Sequence, residues 1–254
     1  MMRRARTLLL TAVASLSAGS TADVGPDVSP GATRQGLPAN PEYTGRFVFS
    51  RVRYHSVRRR RWGGSAWSHD YPRADQHLSR ILDELTLIPT ETRDTNVFDL
   101  DDPQLFRHPI AYISEPGDWD MTDEQAQRLR EYVLKGGFLI FDDFERNQFD
   151  NMAYQLRRAL PEVHPIQIGP EHPIFGSFFK IEDIYFPHPL VPVTPIYWGL
   201  FEDNDPTRRM FAIINHNNDI AEYWEFSDRA WFPVDITNDA YKLGINYVVW
   251  GLSH

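Results

Sequence analysis

Two adjacent carboxylates, Asp142 and Asp143, close the apolar run Phe138-Leu139-Ile140-Phe141. Such a run reads as a buried strand, and the carboxyl end of a strand in an open α/β sheet is where ligands bind. Neighbours on an extended segment point to opposite sides. Only one of the two is therefore expected to face a crevice; the alternative is that one caps the next helix while the other pairs with an arginine. A second polar cluster, Asn215-His216-Asn217-Asn218-Asp219, follows the apolar run Met210 to Ile214, with Glu222 and Glu225 close behind. Hard oxygen donors of this kind suit Mg2+ or Ca2+, and an imidazole from His216 or His172 admits Zn2+ or Mn2+. The candidate metal ligands are Asp143, His216 and Asp219. The same Asx-rich stretch serves equally well as a turn, and no H-E-x-x-H zinc motif occurs.

Other residues carry alternatives of the same kind. His172, before Pro173, can act as a general base near neutral pH or simply shape its loop. Ser65, Ser68 and His69 offer a hydroxyl–imidazole pair, yet no G-x-S-x-G elbow accompanies them. Arg58-Arg59-Arg60-Arg61, flanked by Arg51 and Arg53, is a basic patch in an acidic chain. It either grips an anionic ligand through guanidinium forks or is a solvated loop. Trp62, Trp67 and Trp119 fall in expected loops, where indole faces can stack on sugar rings. Trp198, Trp224 and Trp250 are expected in the core.

The elements that must position these groups alternate in type. Phe47 to Tyr54, Asn96 to Leu100 and Ile110 to Ile113 read as strands, as do Phe138 to Phe141, Ile166 to Ile168, Pro195 to Phe201 and Met210 to Ile214. Pro72 suits the first turn of a helix that aligns Ala74, Leu78, Ile81, Leu82 and Leu85. Thr122 and Gln125 form a capping box for a helix stopped at Gly136, a further helix spans about Asn151 to Leu160, and a buried one runs from Ala240 to Leu252. Strands alternating with helices predict an α/β fold, a flavodoxin-like three-layer sandwich around a mostly parallel central sheet.

The chain has 254 residues, a net charge of −9 and no cysteine. Disulfides, thiolate metal sites and cysteine nucleophiles are excluded. The acidic balance argues against nucleic acid as a partner. Arg3, Arg4 and Arg6 precede the apolar run Leu8 to Leu16 and the small residues Ser20-x-Ala22. This pattern predicts a signal peptide over residues 1–22, hence a periplasmic or secreted protein with no membrane span after cleavage. Residues 23–45, with four prolines and four glycines, are expected to be a disordered linker ahead of one α/β domain at residues 46–254.

Several blocks carry a family resemblance. They are Arg51-Val52-Arg53-Tyr54, Asp70-Tyr71-Pro72-x-Ala74-Asp75, Gly136-Gly137-Phe138 through Phe144, and His172-Pro173-Ile174-Phe175. Ile213 through Asp219, Trp224-Glu225 and Leu243-Gly244-Ile245-Asn246-Tyr247 complete the set. Together they resemble the bacterial family known as domain of unknown function 4159. The resemblance implies a class I glutamine-amidotransferase-like fold, a group that also holds trehalose-utilisation-type proteins. Amidotransferases of that fold use a cysteine on a strand–helix elbow, where this chain has Asp142-Asp143, so amidotransferase activity is not expected. Larger, membrane-anchored relatives associate the family with the bacterial cell envelope.

The sequence thus leads to two expectations. The first is a binding or assembly module of the envelope, with a crevice formed by Arg53, Asp142, Asp143, His172, Asn215, His216 and Asp219. Its partners would be envelope proteins or an anionic or carbohydrate ligand. The alternative is a metal-assisted hydrolase acting on a carbohydrate or related envelope substrate, with a divalent metal as cofactor and His172 or a carboxylate as base.

Overall fold

A computed structural model describes residues 37–56 and 65–254. The expected signal peptide, most of the expected linker, the Arg58–Arg61 run and Trp62 lie outside the described residues.

The strands are β1 (Ser50–Arg53), β2 (His55–Ser56), β3 (Asn96–Asp99), β4 (Ile110–Ser114), β5 (Trp119–Asp120), β6 (Phe138–Phe144), β7 (Ile166–Ile168), β8 (Ile196–Phe201) and β9 (Met210–His216). The helices are α1 (Arg73–Leu85), α2 (Asp123–Leu134), α3 (Gln148–Ala159), α4 (Ile220–Glu225) and α5 (Val234–Ser253). Seven strands form one sheet in the order β3-β1-β4-β6-β9-β8-β7, and β2 pairs with β5 in a small ribbon. β3, β1, β4, β6 and β9 are mutually parallel, whereas β8 runs against both of its neighbours. The protein is therefore α/β with a mostly parallel central sheet.

Period-two alternation splits the apolar residues between the two faces of the sheet. Ile110, Tyr112, Phe138, Ile140 and Ile213 pack with residues of α1, α4 and α5. Ala111, Ile113, Leu139, Phe141 and Ile214 pack with those of α2 and α3. Both faces are covered, which is why β4 and β6 are buried along their whole length and open on the apolar runs Ile110–Ile113 and Phe138–Phe141.

Local signals place the helices. Thr122 accepts from the Gln125 N–H and Gln125 accepts from the Thr122 N–H, both at 3.1 Å, and Gly136 takes the left-handed φ of +112° that ends α2. α3 begins at Gln148 and α5 at Val234, each earlier than the apolar pattern indicates. α4 has only six residues, too few to show a helical period. Residues 37–45, expected as part of a disordered linker, are instead tied to the sheet edge. The Asn40 side chain donates to Val97 O at 3.1 Å and accepts from Val97 N at 2.9 Å, pairing an edge strand that would otherwise stand open.

Candidate functional site

The chain leaves β1 for β3 on one side and returns to β4 on the other, so the loops after β1 and β4 diverge between adjacent strands. Crevices form at such switch points, outside the carboxyl ends of the strands. Asp142 frames the crevice from below. It is fully buried and accepts from Tyr112 Oη at 2.8 Å, Asn215 Nδ2 at 3.1 Å, Ile220 N at 3.0 Å and Ala221 N at 3.2 Å. These bonds join β4, β6 and β9 to the first turn of α4. Burial pushes the Asp142 carboxyl up to about 7, against the hydrogen bond from Tyr112. Asn215, held in turn by Tyr247 Oη at 2.9 Å, belongs to the same buried frame.

Asp143 leaves the strand pattern. Its φ is +61°, and the register with β9 slips between Phe141 and Phe144. Asp tolerates this left-handed conformation better than most residues. Its Oδ2 accepts from Ser114 Oγ at 3.3 Å and lies 2.8 Å from His69 Nδ1.

His69 and Asp70 come from the loop between β1 and α1, and a buried arginine holds that loop. Arg51 has no exposed surface; its Nε and Nη2 fork onto Asp75 at 3.2 and 2.6 Å. Its Nη1 donates to the carbonyls of Trp67 at 3.0 Å and His69 at 2.5 Å. Burial works against the Arg51 charge, but Asp75 outweighs it and raises the pKa. Asp70, with φ +63°, is drawn inward until its side chain has no exposed surface. Neither Asp70 oxygen meets a hydrogen-bond donor in good geometry among the described residues, although His69 Nδ1 lies 3.2 Å from Oδ1. Burial penalises the Asp70 charge, yet His69 and Arg51 lower its pKa overall. Burial likewise opposes charge on His69, and Asp143 with Asp70 overcomes it, so the imidazole is held protonated.

Asp219 enters from the end of β9 as the N-cap of α4, accepting from Glu222 N at 3.0 Å, and is 1% exposed. Ligand atoms of Asp70, Asp143 and Asp219 all lie within 4.8 Å of one another. The same span gathers His69, Asp70 and Glu222, and also His69, Glu115 and Asp143. Burial followed by the charges of Asp143 and Asp70 pushes Asp219 well above the usual carboxylate range. Burial and Asp70 push Glu222 up to about 8. Like charges crowded in a poorly solvated crevice resist joint ionisation. A divalent cation relieves that repulsion, and carboxylates with one imidazole form a fitting donor set for it.

The residues expected from sequence divide sharply. Asp143 and Asp219 meet, while Asp142 and Asn215 stand behind them as frame. The other three lie elsewhere. Arg53 is paired with Asp99 through Nε at 2.8 Å. His172 caps a short turn, accepting from Ile174 N at 3.3 Å, and packs between Phe201 and Trp250. His216, expected as a metal ligand, is turned onto Phe144 and Phe149, and its Nε2 contacts Arg146 O at 2.9 Å. The reason is strand alternation: Asn215 faces α5, so His216 must face α3. His216 therefore does not join Asp143 and Asp219; the carboxylate that meets them is Asp70, with His69 and Glu222 close by.

Two other expectations are also corrected. Trp67 and Trp119 are buried and cannot stack on a sugar. His69 Nδ1 faces Asp143, while Ser68 Oγ donates to Ser65 O and not to the imidazole. Two cavities of about 400 and 390 Å3 open away from the cluster, one lined by His172 and Lys180, the other by His77 and Tyr241. Neither contains these carboxylates. Glu222 stands three residues after Asp219, within the polar stretch that the sequence already singles out, whereas Asp70 is marked only by its place before Tyr71-Pro72 at a helix start.

Fold and site together define an α/β protein with a carboxylate-lined crevice at the strand ends of a mostly parallel sheet. The chain belongs to the family described as domain of unknown function (DUF4159), whose model matches residues 48–252. No curated protein matches the chain.

Proposed function

We propose that this is an exported protein of class I glutamine-amidotransferase-like, flavodoxin-type architecture, and that its crevice is a divalent-metal centre serving a hydrolase. The substrate class is a carbohydrate or related component of the cell envelope. The architecture is supported by the order of the parallel strands, in which the second, first, third, fourth and fifth lie side by side. Export is supported by the basic and apolar N-terminal pattern.

One observation carries the metal reading. Asp70, Asp143 and Asp219 converge within 4.8 Å in a buried crevice. Among the described residues no Arg or Lys forms an ion pair with any of them. Asp70, Asp143 and Asp219 would hold the divalent ion, whose contribution would be to lower the pKa of a water toward neutrality. Burial and Asp70 raise Glu222 to about 8, so it would be protonated near neutral pH until a nearby cation lowered it; as a carboxylate it would then be the general base in this reading. His69 must give up its proton to become a ligand, so metal uptake releases protons and strengthens with pH.

The test is metal analysis of the protein from residue 23 onward, purified without chelator, with a thermal-shift series in Mn2+, Mg2+, Zn2+ and Ca2+. Stoichiometric metal or an ion-specific rise in melting temperature, lost in Asp143→Asn and Asp219→Asn, is the expected result. Metal-free protein indifferent to every ion would overturn the centre. The crevice would then serve a binding or assembly module of the envelope.

A further inference from the structure

The long connection between β7 and β8 carries a histidine that the metal centre does not use. His188 Nδ1 accepts from the backbone N–H of Leu190 at 3.2 Å and of Val191 at 3.3 Å. A ring nitrogen that accepts N–H bonds carries no proton, so the neutral imidazole is fixed as the Nε2–H tautomer. That Nε2 is buried and meets no hydrogen-bond partner among the described residues. A buried donor left unpaired is costly, which marks it as a group whose partner arrives from outside.

Its surroundings tie it to α4, the helix that Asp219 caps. Tyr223 Oη donates to Pro187 O at 3.0 Å, and Phe186 packs edge-on to Tyr223 with ring centroids 5.1 Å apart. Tyr223 follows Glu222 on α4, so the connection is pinned to the helix that helps wall the crevice. Two charges act on the His188 ring, those of Asp143 and His69. Burial keeps the imidazole neutral.

We propose that His188 Nε2–H is the hydrogen-bond donor to an acyl oxygen, carbonyl or carboxylate, of a ligand bound at the Asp70–Asp143–Asp219 centre. This rests on the metal reading above. Asp70, Asp143, Asp219 and Glu222 present carboxylate oxygens, which suit a cation but repel an oxygen ligand. An oxygen drawn to the cation needs a donor on its far side. A neutral N–H that is fixed before binding stabilises charge growing on that oxygen without reorganising. Because Nε2 holds its proton in the neutral ring, His188 is a donor and not a metal ligand.

Acetate is the probe, titrated into the Mn2+-loaded protein and followed by calorimetry. His188→Phe is expected to weaken acetate binding by about tenfold or more while Mn2+ affinity stays within about twofold. His188→Gln, which keeps an N–H donor, restores most of the loss. Should the Phe variant fold poorly, 15N-histidine spectra of the wild-type protein loaded with Mg2+ replace it. There the Nε2–H signal of His188 is expected to shift on acetate addition. Unchanged acetate affinity in His188→Phe, or an unmoved Nε2–H signal, overturns the proposal while leaving the metal centre intact. Failure of Mn2+ to bind the wild-type protein overturns the centre itself, and the donor role with it.

Discussion

His69 Nδ1 and Asp143 Oδ2 lie 2.8 Å apart, joining the loop that follows β1 to the carboxyl end of β6. The two elements are not neighbours in the sheet, since β4 lies between them. The contact therefore spans the crevice at the point where the strand order reverses. An imidazolium among carboxylates occupies the place a cation would take, and the behaviour of the site follows from that competition.

The pH dependence of stability has a definite sign. Burial first, with neighbouring charges, raises Asp142 to about 7, Glu222 to about 8 and Glu225 to about 7. In the unfolded chain such groups ionise near 4. Between those limits the native state binds more protons, so its stability falls as pH rises through the window. Chelator-treated protein should lose ~2–4 kcal/mol between pH 5 and pH 8.5, the coupled groups contributing less than their separate shifts. Added Mn2+ should remove the part of the slope that Glu222 contributes, while the part from Asp142, behind the centre, persists. A profile in denaturant that stays flat or rises would count against the buried carboxylates.

Arg51 holds the loop bearing His69 through that residue's carbonyl, and it holds α1 through Asp75. Arg51→Met leaves Asp75 buried and unpaired, at a cost of about 3–5 kcal/mol. The double variant Arg51→Met, Asp75→Leu should recover most of that stability. It should not recover Mn2+ affinity, because nothing then fixes the His69 loop. Equal recovery of both would show that Arg51 does not position the site.

Asp142 should prove structural. Asp142→Ala removes the acceptor for four donors, two of them the first N–H groups of α4. A loss of about 3 kcal/mol or more is expected. Asp142→Asn keeps an acceptor oxygen and should cost about 1 kcal/mol, less at high pH, where the native carboxyl is strained toward ionisation. Equal losses in chemical denaturation would contradict this account.

Gly244 sets how closely α5 approaches α4. A methyl group there would fall 2.6 Å from Trp224 Cζ2 and 2.9 Å from Leu78 Cδ1. Gly244→Ala should destabilise by about 1–3 kcal/mol through overpacking, despite alanine's better helix propensity. Since Trp224 lies on the helix that Asp219 caps, metal affinity should fall with it. A variant of unchanged or raised melting temperature would show that the helices can move apart.

Much of the architecture was legible because its causes are local. The capping box of Thr122 and Gln125, the left-handed stop at Gly136 and the apolar runs Ile110–Ile113 of β4 and Phe138–Phe141 of β6 depend on residues close in sequence. α4 was not legible: six residues show no period, and two of its N–H groups are satisfied by Asp142 from a different element.

The sequence by itself determined the α/β alternation, the absence of thiol chemistry and the placing of polar residues just after apolar strands. The tertiary structure alone decided which polar residues meet. Strand order brings Asp70, from the loop after the first strand, beside Asp219, from the end of the last parallel one. The left-handed backbone at Asp143 turns its carboxylate toward His69, while simple alternation carries His216 to the opposite face. Convergence of side chains depends on how distant segments are stacked, and no spacing along the chain encodes that.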